Sequence, residues 1–254
     1  MKYVISDLHF NHANVIAMDH RPFSDVNEMN ATLIENWNKV VLPKDEVYIL
    51  GDLSFGSAEE VTSIIKQLKG RKYLIRGNHD YFLNDETFDT TQFEWIKDLS
   101  HFKENHIQYQ LCHYPILEYN GYFSDHCFLY GHVHNNRQKY FQRLMSPNAV
   151  NVGASMIGYK PISVAEIEKI ITAQWQAKLE SVYKLKNQLI PDTNEMSLDE
   201  IDFSQYDKSV SQDTIVNIVT NILENVEDDE LLETALDTVP APQLQKARLN
   251  AMLS

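Results

Sequence analysis

The sequence predicts a layered α/β fold with two β-sheets inside and helices outside, carrying a helical C-terminal appendage. Three observations predict it. Apolar runs at 2–6, 47–50 and 72–76 alternate with helix-patterned stretches, the order of adjacent parallel strands joined by right-handed crossovers. Further strand candidates at 107–112, 126–130, 139–144 and 148–153 follow too quickly for helical crossovers, so the second half should add mostly antiparallel or mixed sheet. The third is composition: 254 residues that are 43% hydrophobic can bury a sizeable core.

Taken in order, residues 2–6 are apolar and bounded by polar residues, as a buried strand should be. A short turn or helix at 11–18 stops at Arg21-Pro22-Phe23. The spacing of Met29, Leu33, Trp37, Val40 and Val41 predicts a helix over 27–42, ended by Pro43. After the strand at 47–50, Ser57 and Glu60 form a capping box, Val61, Ile64, Ile65 and Leu68 an inner face, and Gly70 suits the helix end. Residues 86–100 read as loop plus helix, anchored by Phe88, Phe93, Trp95, Ile96 and Leu99. Ser163 and Glu166 cap a long helix over roughly 164–189, with an apolar stripe from Ile167 to Leu189. That stripe suits packing along the core or against a partner, including a second copy of the chain.

Residues 191–212 read as irregular, 215–236 as one or two helices, and 243–253 as a last short helix. The expected organisation is a core over 1–165, the long helix over 166–189, and an acidic appendage over 190–254, where a homo-oligomer could also form. Residues 192–254 hold fourteen Asp or Glu against three Lys or Arg, so most of the net charge of -14 lies there. An acidic balance argues against a general grip on nucleic-acid backbone and makes extended nucleic acid a poor partner. No apolar stretch reaches membrane-spanning length, and the N-terminus lacks a signal-peptide pattern, so a cytoplasmic protein is expected. Cys112 and Cys127 sit inside apolar runs and read as buried free thiols.

The chemistry gathers where apolar runs end. Tyr3-Val4-Ile5-Ser6 leads to Asp7-Leu8-His9, and Val47 to Leu50 leads to Gly51-Asp52. Lys72 to Ile75 leads to Gly77-Asn78-His79-Asp80, residues 108–112 lead to His113, and Cys127 to Tyr130 leads to Gly131-His132-Val133-His134. Ligands of open α/β sheets bind outside the carboxyl ends of strands. Carboxylates and neutral imidazoles suit manganese, iron or zinc. There are enough ligands here for two ions, which could clamp the attacking and leaving oxygens of a phosphoryl transfer, with Asp52 placed to bridge them.

This set resembles the calcineurin-like metallophosphoesterases, whose Asp-x-His, Gly-Asp, Gly-Asn-His-Asp/Glu, lone His and Gly-His-x-His motifs all stand here in order. Within that family it is most similar to small bacterial and phage phosphoesterases, through Ser6 to Asn14, Arg21-Pro22-Phe23, Met29-Asn30, Asn36-Trp37-Asn38, Asn151-Val152-Gly153 and Gly158-Tyr159-Lys160-Pro161. The resemblance covers residues 1 to about 165 and implies an α/β/β/α sandwich. It implies one metal on Asp7, His9, Asp52 and His134, and another on Asp52, Asn78, His113 and His132. It implies His79 acting on the phosphate, Asp80 orienting His79, and attack on phosphorus by a hydroxide bridging the ions. His12, Arg76 and Arg137 are candidate substrate contacts. The expected activity is hydrolysis of a small phosphodiester, nucleotide-like, with two divalent ions and manganese as the metal expected in vitro. Phosphomonoesterase, protein phosphatase, nuclease and non-catalytic scaffold are the rival readings.

Overall fold

The structure, a computed structural model, describes residues 1–190, 201–226, 236, 237 and 239–253. The chain divides into two compact units, residues 1–120, 125–145 and 149–167 in the first, and 121–124, 146–148 and 168–254 in the second.

The first unit holds two sheets. One has five strands in the order β4(Trp95–Lys97), β3(Arg71–Ile75), β2(Glu46–Ile49), β1(Lys2–Ile5) and β9(Ile162–Ser163). The first four are mutually parallel and β9 runs antiparallel to β1. The crossovers are helical: α1(Ala13–Met18) and α2(Val26–Val40) lie between β1 and β2, and α3(Ala58–Ile65) between β2 and β3. The other sheet orders β5(Leu99–Glu104), β6(Ile107–Cys112), β7(Cys127–Tyr130) and β8(Ala149–Asn151). Its β5–β6 hairpin turns at Asn105 and His106, both at positive φ, as a tight two-residue hairpin requires. The β6–β7 and β7–β8 pairs are parallel.

Alternation along the strands builds the layers. Tyr3, Ile5, Val47, Ile49 and Leu74 face Met29, Leu33 and Trp37 of α2 and Val61, Ile64 and Ile65 of α3. Tyr48 points to the other side, where its ring stacks on Tyr73 at 4.7 Å and on Phe102 of the second sheet at 4.6 Å. Phe128, Tyr130 and Ala149 form the outer face of the second sheet, with Met145, Val133 and Phe141 upon them. The architecture is therefore helices, sheet, sheet and a short helix. Ser57 and Glu60 form the expected capping box of α3. Cys112 and Cys127 are buried free thiols.

Three local expectations are corrected. Residues 139–144 are not a strand but part of α4(Gln138–Leu144). Tyr140, Phe141 and Leu144 follow a helical spacing without alternation, and a 3-10 turn at Asn135–Arg137 leads straight into the helix. Residues 86–100 hold no α-helix: after a 3-10 turn at Thr90–Gln92 they form β4 and the start of β5. Trp95 and Ile96 there lie beside Tyr73 and Leu74 on an open sheet edge, and that pairing overrides their weak helical pattern. Gly70 does not cap α3, which ends at Ile65; it takes φ 88° just before β3.

The second unit contains most of α5(Val164–Leu189), a 3-10 turn at Phe203–Gln205, α6(Lys208–Asn225) and α7(Ala241–Leu253). Reciprocal Ser163 and Glu166 hydrogen bonds start α5. The Gln176 side-chain amide donates to the Ser204 and Tyr206 carbonyls, and Trp175 Nε1 donates to Asn148. Of the helical stretch expected over 215–236, residues 227–235 lie outside the described residues, as do 191–200 of the irregular stretch. No described helix is long and apolar enough to cross a membrane.

Candidate metal centre

The site is built where the strands of the first unit stop. Past β1 and β2 the chains stay paired by backbone bonds, Asp7 N to Gly51 O at 3.0 Å and His9 N to Asp52 O at 3.0 Å. Ser6 ties the second sheet in: its N–H donates to Val152 O at 2.9 Å and its hydroxyl to Leu50 O at 2.7 Å. Asp7 (φ 53°), His9 (53°), Asp52 (52°), His132 (69°) and His134 (27°) all sit in the left-handed region. Non-glycine residues held there cost roughly 1–3 kcal/mol each. Concentrating that strain on these particular residues points to a functional requirement on where their side chains go.

Two donor groups converge. Asp7, His9 and His134 have ligand atoms within 4.8 Å of one another, and so do Asp52, His113 and His132. Asp52 connects them: its Oδ2 lies 3.6 Å from His9 Nε2 and 3.6 Å from His113 Nε2. Its other oxygen accepts the His79 N–H at 2.8 Å. Asp7 and Asp52 are each 1% exposed.

The donor set fits cations. His113 Nδ1 donates to the Leu50 carbonyl at 2.8 Å, which leaves a lone pair on Nε2. That nitrogen faces the Asn78 Oδ1 acceptor at 2.9 Å. His9 Nε2 and His134 Nε2 face each other at 3.3 Å. Acceptors crowded against acceptors around two buried carboxylates are relieved by cations between them. Protonating His9 or His132 is a poor substitute. Burial first, and then the neighbouring His134, hold the His9 pKa well below its ordinary value. Burial and His113 lower that of His132. Burial pushes the Asp7 carboxyl up, though His113 and His134 oppose it.

Glycines make room for the carboxylates. A Cβ on Gly131 would lie 2.0 Å from Ser6 Oγ and 2.3 Å from Asp7 Oδ2; one on Gly77 would lie 2.2 Å from Asp52 N. Gly131→Ala should therefore displace Asp7, weaken manganese binding in titration calorimetry, and lower stability by about 1–3 kcal/mol in urea unfolding.

Several residues differ from their sequence-level roles. The Asp80 carboxylate is not hydrogen-bonded to the His79 ring. Buried, it accepts from the N–H groups of Asp52 (3.1 Å), Leu53 (2.8 Å) and Gly77 (2.8 Å), fastening the ends of β2 and β3 together. Burial pushes its pKa up to about 6. The His79 ring packs among His9, Phe55 and Tyr81, and its Nδ1 has no hydrogen-bond partner. Arg76 sits half-exposed at the sheet edge and pairs with Asp98 at 3.6 Å, as its place beside β4 and β5 dictates. Arg137 is exposed and, among the described residues, makes no contact with the cluster. His12 does join the site, stacked on Phe55 at 3.9 Å and 5.4 Å from the His9 ring.

Asp19 was not foreseen. It is buried and accepts from His134 Nδ1 at 3.3 Å, which turns the opposite ring nitrogen toward Asp7 at 3.7 Å. The His134 pKa is raised because the Asp19 hydrogen bond and the Asp7 charge outweigh burial. Arg21 holds Asp19 at 3.2 Å and donates to the Asp7 and Leu8 carbonyls, each at 2.8 Å. No local signal marks Asp19 in the sequence; it follows a short helix like any turn acid.

The calcineurin-like phosphoesterase family profile matches residues 3–152. An uncharacterized protein of Methanocaldococcus jannaschii is 40% identical over 173 residues, covering 66% of this chain and 90% of that protein. The Gene 66 protein of Mycobacterium phage L5 is 42% identical over 78 residues, 30% of this chain and 37% of that protein. The crystal structure of a protein of unknown function from Aquifex aeolicus superposes with a TM-score of 0.52 at 31% identity, covering 67% of this chain and 98% of that one. Profile, relatives and strand-end geometry agree, and the chain belongs to the calcineurin-like phosphoesterase family.

Proposed function

We propose that this protein is a two-metal phosphodiesterase acting on a small, nucleotide-like diester. The observation that carries this reading is the single Asp52 oxygen equidistant from His9 and His113, the position of a carboxylate shared by two sites. One ion is assigned to Asp7, His9, Asp52 and His134, the other to Asp52, Asn78, His113 and His132; manganese, iron and zinc all suit these donors. When bound, the ions supply Lewis acidity, activating water and neutralising charge that develops on the phosphoryl oxygens.

The chain's own residues do the rest. Asp19 and the Leu50 carbonyl each hold one proton-bearing Nδ1, on His134 and His113, and so aim Nε2 inward. Asp80 keeps the β2 and β3 ends in register, which sets Asp52 against Asn78 and the His79 N–H. His79 has its Nδ1 covered, so Nε2 meets the substrate and hands a proton to the leaving oxygen.

The test is hydrolysis of bis-p-nitrophenyl phosphate and p-nitrophenyl phosphate by metal-stripped protein resupplied with manganese. The diester should turn over only with metal. His79→Ala should lower kcat by about 100-fold or more, the range of general acid–base catalysis, with metal binding retained. Turnover of the monoester alone would reassign the protein as a phosphomonoesterase. Unchanged turnover in His79→Ala would remove His79 from the chemistry.

A further inference from the structure

Exposed tyrosines border this site, and among the described residues no lysine or arginine is hydrogen-bonded to its histidines. Tyr81 and Tyr114 each reach the histidine cluster. Tyr81 meets the His79 ring edge-on at 5.9 Å, while Tyr114 meets His113 at 5.0 Å and His132 at 4.8 Å, also edge-on. Both rings are conspicuously bare for tyrosines in a folded domain, 62% and 45% exposed. They come from two different strand ends, the 3-10 turn Tyr81–Asn84 after β3 and the loop after β6. Phe55, stacked on His12 and 5.1 Å from His79, extends the aromatic lining.

The cations tell the complementary story. Arg21 is buried, with its donors taken up by Asp19 and the Asp7 and Leu8 carbonyls. Arg76 pairs with Asp98, and Arg137 does not touch the cluster. Among the described residues, no hydrogen bond or ion pair joins a lysine or arginine to the ring of histidines. A substrate with a flat, uncharged group beside its phosphate would meet exposed rings.

We propose that Tyr81 and Tyr114 form a stacking subsite for the planar arm of the diester, so that the natural substrate class is a nucleoside phosphodiester and not an alkyl or sugar phosphate ester. The proposal rests on the phosphodiesterase reading above, and its test separates the two. Stacking a base on an aromatic side chain recovers affinity without sequence preference, because every base has a π-face. The subsite needs the rings and not their hydroxyls.

The experiment compares thymidine 5′-p-nitrophenyl phosphate with methyl p-nitrophenyl phosphate, which share a leaving group and differ only in the retained arm. Alongside it, calorimetry measures AMP and ribose 5-phosphate binding to the manganese-loaded full chain. The thymidine ester should have the higher kcat/KM, and AMP should bind more tightly, each by roughly tenfold or more. Both preferences should collapse toward one in the Tyr81→Ala, Tyr114→Ala double variant and persist in the Tyr81→Phe, Tyr114→Phe variant. Equal affinity for AMP and ribose 5-phosphate in the wild-type protein would overturn the subsite. So would a preference that survives the alanine pair. If neither ester is hydrolysed while AMP still binds tenfold more tightly and the alanine pair abolishes this, the subsite stands and the phosphodiesterase reading falls.

Discussion

Replacing Asp52 by asparagine should abolish the binding of both ions together, with the fold retained. The amide keeps the oxygen that accepts the His79 N–H, so the turn after β3 survives. It replaces the other oxygen, equidistant from His9 and His113, with an N–H donor that repels a cation. A carboxylate that merely supports a ligand costs about 10–100-fold in metal affinity when lost. A shared ligand should cost more than that at each site. Manganese titration of the variant should give no tight binding, and diester turnover should disappear with it. Metal-free protein should unfold at a similar urea concentration, because the variant also removes a buried charge. Retention of one tight ion would place Asp52 in a single site and break the two-metal assignment.

The second large effect should come from Arg21, which touches none of the proposed ligands' donor atoms. Its side chain is fully buried, and so is that of its partner Asp19. Arg21→Met would leave the Asp19 carboxylate without its guanidinium and the Asp7 and Leu8 carbonyls without donors. Removing one partner of a buried ion pair costs about 3–5 kcal/mol. That loss should be read in urea unfolding of the metal-free protein. Asp19→Asn should behave differently: stability changes less, and manganese affinity falls about 10–100-fold as His134 loses its anchor. If Arg21→Met unfolds like wild type, the Asp19–Arg21 pair is not what holds the loop after α1. If Asp19→Asn binds manganese normally, His134 does not depend on that contact.

The contrast between Asp52 and Arg21 is also the contrast between what could and could not be read in advance. Asp52 follows an apolar run and a glycine, and the strand-end rule alone places it near Asp7 and Asn78. Arg21 is visible in the sequence as the breaker of a short helix and as part of a resemblance. Nothing nearby in sequence says that it is buried, or against what. Asp80 illustrates the same limit from the other side. Its position beside His79 suggests a partnership, but three backbone N–H groups converge on it from two strand ends and occupy both oxygens. Arg76 stands at the sheet edge just past β3, where it pairs with Asp98, and residues 139–144 are helical because Tyr140, Phe141 and Leu144 recur at helical spacing.

By itself the sequence determined the α/β class, most strands of both sheets, the capped start of the long helix, and the candidate ligands with the chemistry they imply. It could do so because those features are local: strand periodicity, caps, and polar residues placed directly after apolar runs. Only the tertiary structure decided that Asp52 lies between two imidazoles, that Asp19 backs His134, that Asp80 fastens two loops, and that Tyr81 and Tyr114 each reach the histidine cluster. Each of these depends on segments far apart in the chain being brought within a few ångströms. That proximity is set by how the strand ends of two sheets pack against each other, which no local pattern encodes.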